Sequence, residues 1–196
     1  MIPGAILLAA AGWAFAFGPA WGNFWIKIGL AVAAVCAYAL AFRKPDLRVT
    51  AVSVAEGVVL AAVLYAVFFV GNALAPFIVP GARGQVGGIY ALGEGSPRAW
   101  IFLLLCFVTG PGEEIFWRGF LQEELQKRFT KAPGFLAATA LYGAVHVFSG
   151  NLMLILAALV AGAFWGALYA WRRDLVALIV SHSLWSAFIF AVAPVR

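Results

Sequence analysis

Two adjacent carboxylates, a guanidinium and two imidazoles lie inside stretches that are otherwise apolar. The first group is Gly110-Pro111-Gly112-Glu113-Glu114-Ile115-Phe116-Trp117-Arg118, the second Tyr142-Gly143-Ala144-Val145-His146, and the third His182-Ser183-Leu184-Trp185-Ser186. His146 and His182 are the chain's two histidines. Residues four apart on a helix share a face, so Glu114 reaches Arg118, Tyr142 lies beside His146, and His182 beside Ser186. Glu113 is turned about 100° from Glu114, which leaves one carboxylate for the cation and one for other work. A carboxylate left over in this way suits a general base. The Gly-Pro-Gly run just before it is expected to break or kink the helix and open a space for water. Each group also has a plainer reading: Glu114 with Arg118 as a structural ion pair, each histidine as an interhelical hydrogen-bonder, Ser186 as a packing residue. Their conjunction on three segments favours chemistry.

The elements that must position these residues are membrane helices. Of 196 residues, 65% are hydrophobic and 11% charged, against roughly 25% charged in a soluble domain. A chain this small cannot bury so much apolar surface in water, because its surface-to-volume ratio is too high. Lipid must take the rest. Ionisable groups at membrane depth are expensive and mark function by default. One transmembrane domain, 1–196, with no soluble appendage is expected. Residues 1–17 read as a retained first helix, since no basic stretch precedes them as it would in a signal peptide. Cys36 and Cys106 sit in apolar runs as small hydrophobes, without disulfide or metal-site spacing.

A helix needs about 20 mostly apolar residues to cross the bilayer core. Seven stretches qualify, near 3–19, 21–42, 50–75, 98–127, 133–149, 151–171 and 175–194. The fold class is therefore an all-α polytopic transmembrane bundle of about seven helices. With this count the basic clusters Arg43/Lys44/Arg48, Lys127/Arg128/Lys131 and Arg172/Arg173 share one side, which should be the cytoplasm. Arg83, Arg98 and Arg196 are left for the other. The net charge of +5 is thus a topological signal, and no nucleic-acid partner is expected. The N-terminus is placed in the cytoplasm and the protein in a bacterial inner membrane. Segment 77–97 reads as an outer surface loop, partly re-entrant. Lys27 and Glu56 read as snorkelling groups, and Trp21, Trp25 and Trp100 as interfacial anchors. Counting rise from the cytoplasmic ends puts Glu113 and His146 ~20 Å deep but His182 only ~12 Å deep, a gap that tilt or a shifted boundary must close.

The ordered trio resembles the Ras-converting-enzyme and bacteriocin-processing family of intramembrane proteases (CPBP, or Abi; CAAX-type). That family is marked by Glu-Glu-x-x-x-Arg, aromatic-x-x-x-His and His-x-x-x-Asn or Asp on successive helices. Here these are Glu113-Glu114-x-x-x-Arg118, Tyr142-x-x-x-His146 and His182-x-x-x-Ser186, with Arg118-Gly119-Phe120-Leu121 after the pair and Gly162, Gly166, Leu168 and Tyr169 before the last motif. The likeness covers about 98–190, the expected protease core; spans within 1–97 resemble nothing specific. Tyr142 replaces the usual Phe, and Ser186 the usual Asn or Asp.

The resemblance implies peptide-bond hydrolysis by an activated water. Glu113 would be the general base and His146 would hold the water. His182 and Ser186 would stabilise the oxyanion, and Glu114, Arg118 and Tyr142 would support the geometry. No cofactor is expected; Zn²⁺ is the alternative, disfavoured because no His-Glu-x-x-His is present. The implied substrates are membrane proteins or lipidated or leader peptides. Among these, bacteriocin leaders and C-terminal membrane anchors, the latter as in myxosortases, fit better than prenylated peptides. The competing reading is a non-catalytic membrane scaffold or a small proton-coupled transporter that uses the buried Glu and His as a relay.

Overall fold

The computed structural model describes residues 1–195; Arg196, counted above with the outer charges, lies outside the described residues. Among the described residues the regular elements are helices: α1 (Ile2–Phe17), α2 (Phe24–Phe42), α3 (Ala51–Ile78), α4 (Ala82–Ala91), α5 (Arg98–Phe129), α6 (Lys131–Ser149, its last turn 3₁₀), α7 (Leu152–Arg172) and α8 (Leu175–Val192). Six of them, α2, α3 and α5–α8, are long and apolar enough to cross a membrane. α1 has 16 residues, which at ~1.5 Å each give a rod of ~24 Å, somewhat short of a ~30 Å hydrocarbon core. The chain is an integral membrane protein built as an all-α bundle.

Lipid removes the hydrophobic drive between helices, so close packing of small residues must hold them together. On α1 the buried positions are Ala5, Ala9, Trp13 and Ala16, one stripe at helical spacing. At the α3–α8 crossing a Cβ on Gly57 would stand 2.6 Å from Val180 Cβ and 2.7 Å from the Ala177 carbonyl, so any larger residue would force the helices apart. Polar side chains close the helix N-termini: Asn23, Thr50, Asn151 and Asp174 each accept from backbone N–H groups of the first turn of α2, α3, α7 and α8.

Ion pairs identify one end of the bundle. Arg43 meets Glu123 at 3.0 Å and Glu124 at 3.4 Å, Lys127 meets Glu124 at 2.7 Å, Arg173 pairs with Glu123, and Arg172 meets Glu56 at 3.1 Å. Tyr38 donates to the Met1 carbonyl, bringing the N-terminus alongside α2. The three basic clusters therefore share one end, as their spacing predicts. Asn23–Ser96, Trp25–Leu92 and Asn151–Gln85 hydrogen bonds tie the loops of the other end.

Several expectations are corrected. α3 does not stop before Pro76 but continues through it to Ile78, reaching 28 residues. Segment 77–97 is not a bare loop: it contains α4, and Gln85 there accepts from Asn151 and Met153 at the start of α7. Trp25 is a core residue, not an interfacial anchor, with its indole N–H given to the Leu92 carbonyl. Lys27 is likewise buried; its ammonium reaches back along the helix to the Pro19 carbonyl. Glu56, read as a snorkelling group, pairs with Arg172 at the charged end of the bundle.

Candidate active site

The expected break at Gly110-Pro111-Gly112 does not occur. α5 runs through it, and π-helical turns at Leu105–Thr109 and Ile115–Gln122 flank a short α stretch, Gly110–Glu114. Widening the helix absorbs the proline: the Gly110 N–H bonds five residues back to the Leu105 carbonyl. Insertions of this kind collect at functional sites. Here they set the facing of Glu113 and Glu114. Gly110 also allows α8 to press against α5, because a Cβ there would stand 2.4 Å from Ser183 Oγ.

The two carboxylates divide as the sequence predicts. Glu114 is fully buried and its Oε1 accepts from Arg118 Nη1 at 2.9 Å and from His182 Nδ1 at 2.7 Å. Arg118 lies over the Tyr142 and Trp165 rings and donates its Nη2 to the Gly162 carbonyl. His182 stacks on Trp165, ring centroids 4.0 Å apart and planes 16° from parallel. Three charged or chargeable groups thus hold one another where solvent is excluded, and removing any one would leave a costly orphan. Glu113 points elsewhere. Its Oε2 accepts from the Tyr142 hydroxyl at 2.8 Å.

His146 is held from two sides. Its Nδ1 lies 2.8 Å from the Tyr142 backbone carbonyl, and its Nε2 lies 3.3 Å from the indole nitrogen of Trp13. A carbonyl can only accept and an indole N–H can only donate. Nδ1 therefore carries the proton, Nε2 carries a lone pair, and the ring is neutral.

A cavity of about 130 Å³ opens among these groups, lined by Trp13, Glu113, Tyr142, His146, His182 and Ser186. His146 and His182 both line this cavity, and the His182–Glu114 contact ties α8 to α5 there. Ser186 lines the cavity, but its hydroxyl donates to the carbonyls of His182 at 2.7 Å and Ser183 at 3.3 Å, within its own helix. Next to this cavity lies a larger apolar one of about 370 Å³, bounded by α3, α4, α7 and α8. The two share Ile89, Leu154, Ala157, Trp185 and Phe190 in their walls.

No set of three or more His, Cys, Asp or Glu able to hold a metal ion comes together among the described residues. The donor chemistry agrees: both nitrogens of His146 are occupied, and Nδ1 of His182 is committed to Glu114. A catalytic zinc needs three protein ligands plus water, and these residues do not fit it.

Two site residues had no signal in the motifs. Trp13 comes from α1, far from any of them in sequence. Thr109 lines the cavity, and its Oγ1 is buried with no hydrogen-bond partner among the described residues. It lies four residues before Glu113, a spacing that puts both on one helix face.

A membrane bundle that brings a glutamate and two histidines to the wall of one cavity has the makings of an intramembrane protease. Residues 95–188 match the family described as type II CAAX prenyl endopeptidase, Rce1-like. That stretch is similar to the CAAX-type (CPBP) proteases, as its motifs predict. No curated protein and no solved structure matches it.

Proposed function

We propose that the protein hydrolyses a peptide bond of a membrane-associated substrate with a water activated by Glu113, without a metal. The observation that carries this reading is the pairing of Glu113 and His146 through Tyr142 on the wall of one small cavity. Tyr142 occupies Oε2 of Glu113, leaving Oε1 as the base. His146, its Nδ1 held by the Tyr142 carbonyl and its Nε2 by the Trp13 N–H, presents a fixed neutral ring to the cavity. A water between Glu113 and that ring donates a hydrogen to Oε1 of Glu113 and turns a lone pair toward a substrate carbonyl. Glu113 takes one proton as the water oxygen bonds to the carbonyl carbon. It then returns that proton to the amine nitrogen as the C–N bond breaks.

His182 is the oxyanion's electrostatic partner in this reading. Its Nδ1 is held by the Glu114 carboxylate, which fixes the ring on the cavity wall and leaves Nε2 as the nitrogen available to the substrate. Arg118 neutralises Glu114 and holds α5 against α7. Ser186 supports the His182 turn through its backbone bonds. The adjoining apolar cavity favours a substrate presented from the bilayer, and a C-terminal membrane anchor or a leader peptide of a bacterial inner-membrane system fits it.

The test uses purified protein in lipid nanodiscs and two internally quenched peptides, one bearing a farnesylated C-terminal CAAX sequence and one ending in an apolar anchor helix. Cleavage of either, abolished by Glu113→Gln, is the expected result. Undiminished cleavage by Glu113→Gln would remove Glu113 as the base. Proton flux across liposomes that Glu113→Gln abolishes, with no cleavage, would favour the transporter reading.

A further inference from the structure

The cavity contains a hydroxyl with nothing to do. Thr109 is 4% exposed, and its Oγ1 has no hydrogen-bond partner among the described residues. A threonine in a helix ordinarily returns its hydroxyl to a carbonyl one turn back. Here it makes no such bond, and the Leu105 carbonyl instead receives the Gly110 N–H across the π turn. Leaving a buried hydroxyl unpaired is destabilising, because its desolvation is not repaid. A valine would have the same shape without that penalty. The arrangement therefore makes sense only if something enters the cavity and accepts the hydrogen bond.

The same wall holds a second orphan donor. Trp185 lines both cavities, and its Nε1 is buried without a partner among the described residues. An indole nitrogen can only donate, and a buried one normally finds an acceptor. Thr109 on α5 and Trp185 on α8 thus both call for acceptor oxygens from a ligand, and a peptide backbone supplies them.

We infer that Thr109 is a catalytic residue, the hydroxyl donor to the oxyanion formed on the substrate carbonyl, in the role that the Ser186 hydroxyl does not fill here. This rests on the protease reading above, and three features favour the assignment. Thr109 shares a helix face with Glu113 at i, i+4 spacing, which brings its hydroxyl beside the base that delivers the water. Its proton is uncommitted, whereas that of Ser186 goes to the His182 carbonyl. Trp185, at the junction of the two cavities, is placed to hold a neighbouring substrate carbonyl where the chain passes into the apolar space.

The test compares Thr109→Val, Thr109→Ser and Glu113→Gln in nanodiscs with whichever quenched peptide the parent cleaves faster. Thr109→Val should lower kcat by about 100-fold, the lower range for losing one oxyanion donor, with KM little changed. Its thermal unfolding midpoint should equal or exceed the parent's, because an unpaired buried hydroxyl has been replaced by a methyl. Thr109→Ser should keep most of the parent's kcat. Full turnover by Thr109→Val beside a dead Glu113→Gln would overturn the inference and leave the protease site standing. Full turnover by both would overturn the site and the inference together. A fall in stability that accompanies the fall in kcat would show the hydroxyl bonding inside the fold, and that too would overturn it.

Discussion

The indole N–H of Trp13 reaches Nε2 of His146 across 133 positions of sequence, from a helix outside the segment that matches the protease family. This contact fixes the face that His146 offers the cavity. It also ties α1 to the His146 end of α6, so the N-terminal helix is part of the cavity's frame.

Trp13→Phe preserves an aromatic ring for the contact with Trp117 but deletes the N–H. One neutral hydrogen bond is worth about 1 kcal/mol, so kcat should fall by roughly fivefold. With His146 and His182 as the chain's two histidines, a ¹⁵N-histidine-labelled sample gives a spectrum of just two imidazoles. The Nε2 resonance of His146 should move in the variant while its Nδ1 resonance stays, because the Tyr142 carbonyl still holds that nitrogen. An unchanged Nε2 resonance would show that the indole contact does not persist in lipid.

Glu114 should behave as a hub for stability as well as for chemistry. Glu114→Gln leaves Arg118 charged and buried, and breaking such a pair from one side is destabilising by about 3–5 kcal/mol. Adding Arg118→Met should return much of that stability, since a buried pair replaced by apolar groups is often neutral. Activity should stay lost in the double variant, because His182 no longer has an anion on Nδ1. Recovery of both together would reduce Glu114 to a packing role.

The parts legible in sequence were those where one rule decides. Composition forced membrane helices, and three basic clusters forced them to share an end, which the Arg43–Glu123 and Arg172–Glu56 pairs bear out. Helical spacing of four gave the Glu114–Arg118 pair directly. What stayed hidden depends on contacts between distant helices. Trp25 near a span end looks like an anchor, and only the position of Leu92 makes it core. Gly110-Pro111-Gly112 reads as a helix break. The missing proline N–H can instead be absorbed by a π turn, whose five-residue bond leaves no sequence pattern. The direction of the Ser186 hydroxyl is likewise a rotamer choice that no motif encodes.

Orientation in the membrane is checked separately. Reporter fusions after residues 48, 131 and 173 follow the three basic clusters at the common end and should all report the cytoplasm. A single fusion reporting the opposite side would mean that one of the helices, α1 being the shortest candidate, does not cross.

Thorough chelation should leave cleavage intact. Both nitrogens of His146 and Nδ1 of His182 have protein partners, so a dedicated zinc site lacks the ligands it needs. Activity lost to a chelator and restored by Zn²⁺ would require these bonds to open and the mechanism to be rewritten.

Ser186 stands where the resembled family has Asn or Asp, and its hydroxyl is turned onto the His182 and Ser183 carbonyls. Ser186→Ala should therefore lower kcat by far less than the ~100-fold that marks a lost oxyanion donor. Ser186→Asn is the more informative change. An amide on this wall of the cavity is too long to fold back in the same way, and its N–H₂ would extend toward the space that Thr109 also faces. Placed on a Thr109→Val background, Ser186→Asn should recover part of the lost kcat, one donor standing in for the other. Should Ser186→Ala alone cost the full hundredfold, the serine hydroxyl must rotate into the cavity during turnover. Thr109 would then lose its claim to the oxyanion.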